Sequence, residues 1–229
     1  IAGNDEDERV RSAAIKRLHQ LENILKVYAS ESDTAVRTLL EDRIRQLASS
    51  SHESRPPLEL RMQVVESTSD RELIEHLAHH APEAALRHAA LSKVERQGVL
   101  GDCCISDSHA ENRNFAASRI TQHTTLKRVI GALRKSDKSL YVKLQERLHT
   151  ELLEQADPGA VQTEAIRICT GLEKQVLDIE SSDTPVIDKL HANWQNIAAH
   201  ASNDMSQRYQ RVCDRLAAPP APSPEPVKE

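Results

Sequence analysis

Residues 82–94 read PEAALRHAALSKV, and residues 108–120 read SHAENRNFAASRI. Laid over one another with Pro82 on Ser108, they set Leu86 on Asn112, Arg87 on Arg113, Ala90 on Ala116 and Val94 on Ile120. Positions i, i+4 and i+8 form one stripe of an α-helix, so each stretch predicts a short helix with an apolar face. The same pattern opens at Val10-Arg11, Val36-Arg37, Leu60-Arg61 and, most degenerate, Leu140-Tyr141. Its fifth and ninth positions there are Ala14 and Leu18, Leu40 and Ile44, Val64 and Thr68, and Leu144 and Leu148. Only Thr68 and Asn112 interrupt the apolar column.

Between these helices lies a second apolar segment: Leu21, Ile24 and Leu25; Leu73, Ile74 and Leu77; Leu126, Val129 and Ile130. Two short helices per repeat follow, neither stable alone, so that stacking of repeats must bury one continuous seam. Helix starts are marked by Ser69-x-x-Glu72 and Ser108-x-x-Glu111, which have the capping-box form, and by Pro82 at an expected first helical residue. The acidic runs at Asp5–Glu8 and Glu31–Asp33 place negative charge at the positive ends of helix dipoles. The expected fold is all-α, with about six two-helix repeats over residues 1–156.

With Asp5 ahead of Val10-Arg11-Ser12-Ala13-Ala14, and the same order recurring along the chain, this region resembles the HEAT-like repeat proteins. The resemblance implies an α-solenoid in which Arg11, Arg37, Arg61, Arg87 and Arg113 link neighbouring repeats rather than face a partner. Ile1-Ala2 resembles the end of a preceding second helix, as Tyr28-Ala29 ends the first repeat, so further repeats are expected upstream.

After Leu148 the pattern changes. Asp157-Pro158 opens a helix expected to run to about Ser181, and Asp183-Thr184-Pro185 opens another. Ile187, Leu190, Trp194, Ile197, Ala201, Met205, Tyr209, Val212 and Leu216 then form a heptad-like seam. Ala165, Ile168, Leu172, Val176 and Ile179 supply a facing stripe, which predicts an antiparallel, coiled-coil-like hairpin over residues 157–218. Residues 219–229 hold five prolines and read as a linker or tail. Repeats, a Trp-bearing coiled segment and a proline-rich end together resemble the layout of the N-terminal part of bacterial proteins carrying the domain of unknown function 349.

Composition narrows the function. Five aromatic residues in 229 and six glycines suit thin helical layers better than a thick core or a strand-rich fold. No apolar run is long enough for a membrane span. Cys103, Cys104, Cys169 and Cys213 follow no disulfide framework, so a reducing, cytoplasmic setting is expected. His76 and His80 share a helix face, and Cys103-Cys104 with His109 is a second imaginable donor set, but neither has the ligand spacing of a zinc motif. No nucleophile turn or glycine-rich phosphate loop occurs. Neither an enzyme, a cofactor nor a metal is expected.

Charge singles out one segment. The chain carries a net −5, yet residues 113–147 hold 9 Lys/Arg against 2 Asp/Glu, while residues 1–112 hold 14 against 20. Lys127, Arg134 and Lys138 follow one expected helical row, with Arg128 and Lys135 beside it. Such a patch suits an acidic protein surface or helix, or alternatively a phosphate backbone. Acidic flanks and the scarcity of stacking aromatics favour the protein partner. The function expected is a protein-interaction scaffold, with a nucleic-acid-associated factor as the alternative.

Overall fold

A computed structural model describes residues 5–50, 55–177 and 184–218. The residues described are all-helical, with no strand among them: α1 (Glu8–Ile15), α2 (Leu21–Ser30), α3 (Thr34–Ala48), α4 (Leu58–Ser67), α5 (Arg71–His80), α6 (Ala84–Lys93), α7 (Gln97–Ser106), α8 (Ala110–Arg119), α9 (His123–Leu133), α10 (Lys138–Glu154), α11 (Pro158–Leu177), α12 (Thr184–Ile197) and α13 (Asn203–Ala217). The chain divides into two compact units, Ile1–Leu144 and Gln145–Glu229, and the division falls inside α10 rather than at residue 156.

In the first unit α4, α6 and α8 begin at Leu58, Ala84 and Ala110, and α5, α7 and α9 at Arg71, Gln97 and His123, all at one constant interval. Each of the first three ends just before the ninth position of the pattern, so Thr68, Val94 and Ile120 are extended C-cap residues. Thr68 therefore lies past the helix and is only half-buried, which is why a polar residue is tolerated there. Asn112 lies within α8 and is 3% exposed. Its amide donates to the Ala84 carbonyl and to Asp107 Oδ2, and its Oδ1 meets His88 Nδ1 at 3.0 Å, so no polar group is orphaned. α4 packs on α6 and α6 on α8, while α5 packs on α7 and α7 on α9. Ten-residue helices are marginal in water, and burial of Leu77, Leu86, Leu91, Leu100, Leu126 and Leu133, all nearly inaccessible, supplies what the helices lack singly.

Several helix starts differ from expectation. Asp70, not Ser69, caps α5, accepting from the amides of Glu72 and Leu73, because a carboxylate takes both bonds more strongly than a hydroxyl. At α8 the cap residue is His109, and Ser108 instead bonds the Arg87 guanidinium. α6 starts at Ala84, two positions after Pro82. A second helix of the second repeat is not among the described residues. Among the described residues of the second repeat only α3 precedes α4, and residues 51–54 lie outside the described residues.

α7 packs on α9 at Gly101, where an added Cβ would sit 2.9 Å from Thr125 Cγ2 and closer still to Arg128 Nη2. A Cβ on Gly131 would meet nothing within 4 Å. Gly131→Ala should therefore raise stability by up to about 1 kcal/mol through helix propensity, whereas Gly101→Ala should lower it despite the same propensity gain. Urea midpoints of the two variants check the opposite signs.

In the second unit the structure corrects the hairpin. Residues 184–217 are not one helix: α12 ends in a 3-10 turn at Ala198–His200, Ala201 is extended, and Ser202 caps α13 by accepting from Met205 N. An unbroken helix of that length would span roughly 50 Å against roughly 30 Å for α11, leaving part of its seam uncovered. The break lets α12 and α13 both pack on α11. Leu190, Trp194, Ile197, Met205 and Val212 then join Ala165, Ile168 and Leu172 in one core. Trp194 stacks on Tyr209 with centroids 4.0 Å apart. Pro158 is the first residue of α11, and Asp157 Oδ1 accepts from Ala160 N, as its sequence predicts. Ile179, Ser181, Asp183 and the segment 219–229 lie outside the described residues.

Candidate interaction surface

The repeated arginines occupy one structural position: Arg11, Arg37, Arg61, Arg87 and Arg113 are each the fourth residue of their helix. That position turns the guanidinium back over the loop that enters the helix, whose carbonyls have no helical partner. Arg11 donates to the Asp5 carbonyl, Arg37 to that of Glu31, Arg61 to that of Pro56, Arg87 to that of Ala81 and Arg113 to that of Asp107. Four of the five also reach a carboxylate in the loop that enters the next helix of the series, ahead of α3, α6, α8 and α10. These pairs are Arg11–Glu31 at 2.9 Å, Arg61–Glu83 at 2.7 Å, Arg87–Asp107 at 2.8 Å and Arg113–Asp137 at 2.9 Å. Arg37 instead lies over the Tyr28 ring, 4.3 Å from its centroid.

These pairs set the charge states of their acids. Burial raises the Asp107 pKa, but hydrogen bonds from Arg87, the His109 amide and Asn112 outweigh it and hold the carboxyl at about 2. The Arg61 hydrogen bond depresses Glu83, and the Leu140 amide followed by Arg113 depresses Asp137. Both Arg61 and Arg87 are buried.

Sequence reading missed a second set of cations. Arg43 donates to the Leu18 carbonyl beyond α1, Lys93 to the Val65 and Glu66 carbonyls of α4, and Arg119 to the Leu91 carbonyl of α6. Lys93 and Arg119 offer positive charge to carbonyls at a helix C-terminus, where the dipole favours it. The available signal was Lys93 and Arg119 at equivalent positions, each one residue before an extended C-cap.

The His and Cys residues form contacts of a different kind. The His76 and His80 rings lie 4.7 Å apart, and His79 Nδ1 is 3.6 Å from Cys103 Sγ. Burial first, and the His80 charge second, lower the pKa of both His76 and His79. Burial pushes the Cys103 thiol up to about 12 and Cys104 to about 11, so both are held as neutral thiols. Among the described residues no group of three or more His, Cys, Asp or Glu is placed to hold a metal ion. In the second unit a cleft of about 410 Å³ is lined by His149, Glu164, Asn193 and Asn196 among others. Its Glu164 carboxylate accepts from Arg167 and meets His149 Nε2 at 3.1 Å, and these contacts keep it ionised.

The basic segment occupies the end of α9, the following turn and the start of α10. Lys127, Arg128, Arg134, Lys135 and Lys138 are all exposed. α9 ends at Leu133 with Arg134 as its helical C-cap, and the Asp137 carboxylate accepts from Leu140 N to start α10. The expected helical row through Lys127, Arg134 and Lys138 is therefore interrupted: Asp137 opens a new helix, so Lys138 is not on the same helix as the other two. Lys127 and Arg134 remain two turns apart on one face of α9, about 10 Å along its axis. Arg128 is not a free cation, since it pairs with Asp102 at 2.6 Å and donates to the Gly98 carbonyl. Lys127, Arg134, Lys135 and Lys138 make no ion pair among the described residues. Lys138 follows the Asp137 cap in the first turn of α10, where the helix dipole disfavours a cation, so helix stability does not account for its charge.

Among the described residues no helix is long and apolar enough to cross a membrane. No protein-family model, curated protein or solved structure matches the chain.

Proposed function

We propose that the chain is a non-enzymatic interaction scaffold: a HEAT-like α-solenoid in its first unit, which offers the α9–α10 edge to a protein partner with an acidic surface or helix. The regular helix intervals and the arginine that recurs at the fourth helical position support the solenoid reading. The observation that carries the function is the division of labour among cations. Arg11, Arg61, Arg87 and Arg113 are neutralised by carboxylates, whereas Arg134, Lys135 and Lys138 stand exposed around the turn between α9 and α10, with Lys127 exposed two helical turns before it. Four thiols, none in a disulfide, suit a reducing cytoplasmic setting.

Arg134→Glu combined with Lys138→Glu tests the surface. Removing a cation from the C-terminal end of α9 and adding an anion at the start of α10 act oppositely on the two helix dipoles, so the fold should persist. Binding of an acidic peptide at low salt should weaken at least about tenfold and fall further with added salt. If instead mixed-sequence DNA or RNA binds tightly and the double variant abolishes that binding, the partner is a phosphate backbone. If neither ligand binds the wild-type chain at low salt, the proposal is overturned.

A further inference from the structure

α5 ends in His76-Leu77-Ala78-His79-His80, and the three imidazoles form one cluster. The rings of His76 and His80 have centroids 4.7 Å apart, and those of His79 and His80 5.8 Å apart. His80 is exposed, while His76 and His79 are half-buried. His76 turns toward α3, where its Nε2 meets the Oγ of Ser49, the C-cap residue, at 3.2 Å. His79 turns toward α7, with Nδ1 3.6 Å from Cys103 Sγ. Neither neighbour supplies a counter-charge, since one is a hydroxyl and the other a thiol held neutral. The charged group that faces His76 from α3 is a cation, Arg45, itself shared among Asp42, Asp70 and Glu72. His79 faces three acids, but each already pairs with an arginine. Glu75 of α5 pairs through Oε2 with Arg96 at 2.8 Å, Asp102 of α7 with Arg128 at 2.6 Å, and Asp107 with Arg87 of α6 at 2.8 Å. None of the three rings forms an ion pair among the described residues.

We propose that this cluster makes the C-terminal half of α5 an acid-responsive latch, which packs on α3 and α7 while the rings are neutral and loosens once two of them carry protons. Positive charge is tolerated at His80, which is exposed and lies in the last turn of α5, where the helix dipole favours it. That charge faces both other rings. A second proton, on His76 or His79, must then be held beside it, partly out of water and with no free carboxylate to compensate. Moving the end of α5 outward separates and hydrates the rings, and the cost is exposure of Leu77 and Ala78, both buried in the closed state. The direction of the pH effect is fixed. Burial first, and the His80 charge second, hold His76 and His79 below their ordinary 6.5, so the unfolded chain binds more protons than the folded one in that window. Their contribution to stability is therefore fully present above about pH 6.5 and is lost as pH falls below it. One pH unit lower, each ring kept neutral raises the unfolding constant by up to about tenfold. The latch and the α9–α10 edge are separate features, and neither depends on the other.

The test follows the full chain by NMR, recording histidine ring signals and backbone amide exchange as pH is lowered from neutrality. His76 and His79 are expected to titrate below 6.5. His80→Gln, an exposed substitution, should move both midpoints upward by removing the neighbouring charge. Exchange protection of the α5 amides, measured relative to those of α9, should fall about tenfold between neutrality and one pH unit below 6.5. His76→Gln combined with His79→Gln leaves both positions polar but unable to take a proton, and should abolish that fall. If the double variant does not fold, the titrations and the α5 protection of the wild type and His80→Gln decide alone. A midpoint at or above 6.5 for either half-buried ring overturns the proposal, as do midpoints that His80→Gln leaves unmoved. Unchanged relative protection of α5 in acid overturns it too, because the rings would then titrate without moving the helix. An equal fall in the wild type and the double variant assigns the acid response to other groups and has the same consequence.

Discussion

Arg87→Met is expected to cost about 3 to 5 kcal/mol, because it leaves the Asp107 carboxylate in place with its counter-ion gone. The Asp107 side chain is 2% exposed, so water cannot replace the guanidinium. The same arginine also donates to the Ala81 and Pro82 carbonyls and to Ser108, so the loops before α6 and α8 lose partners together. Replacing both members of the pair by apolar residues should be milder than the single change, since no buried charge is then stranded. The pH dependence carries a definite sign. Asp107 has a native pKa of about 2, below its ordinary value of 3.8, so its contribution is fully present above about pH 4 and is lost as pH falls toward 2. A depression of that size corresponds to roughly 2 kcal/mol. In Arg87→Met burial acts with less opposition and raises the carboxyl pKa, so the variant's deficit should be largest near neutrality and shrink in acid. Chemical denaturation at pH 7, 5 and 3 measures this; a deficit that stays constant with pH would show that packing of the arginine stem, and not its charge, holds the site.

Trp194→Ala should cost about 3 to 5 kcal/mol in the second unit. The indole is 5% exposed, lies face to face with Tyr209 and sits among Leu190, Ile197, Met205 and Val212, so truncation leaves a cavity where α11, α12 and α13 meet. Collapse around the gap is limited, because the 3-10 turn and the Ser202 cap hold α13 in position against α11. Trp194→Phe keeps an aromatic face for Tyr209 and should recover most of the loss. Since Trp194 is the only tryptophan, native fluorescence should be blue-shifted and should red-shift in one step on unfolding of this unit. Water-like emission from the native chain, or an unchanged circular-dichroism melt in the alanine variant, would place the indole outside the core.

Local rules written into the chain were sufficient for the helices themselves. An apolar residue every fourth position and few glycines each act within one or two helical turns, so α4, α5, α6, α8 and α9 could be read from their own residues, whereas α7 was not singled out. Capping was legible as chemistry but not as register: Ser69 and Asp70 are adjacent candidates, and choosing between them needed the geometry of two amides at one carboxylate. The break at Ala198–Ser202 was hidden for a different reason. The seam from Ile187 to Leu216 keeps nearly the same apolar spacing on both sides of it, and only the finite length of α11 decides that the chain must fold back.

The basic segment divides in the same way. Its excess of cations is a property of residues 113–147 alone and is plain in their composition. Which of those cations are free depends on what folds beside them: Arg128 of α9 meets Asp102 of α7, while Lys127, Arg134, Lys135 and Lys138 do not meet an acid among the described residues. Periodicity and capping are short-range, and the sequence by itself determined an all-helical chain with recurring arginines. Charge neutralisation arises between residues far apart in sequence, so only the tertiary structure decided which cations are paired and which stand exposed.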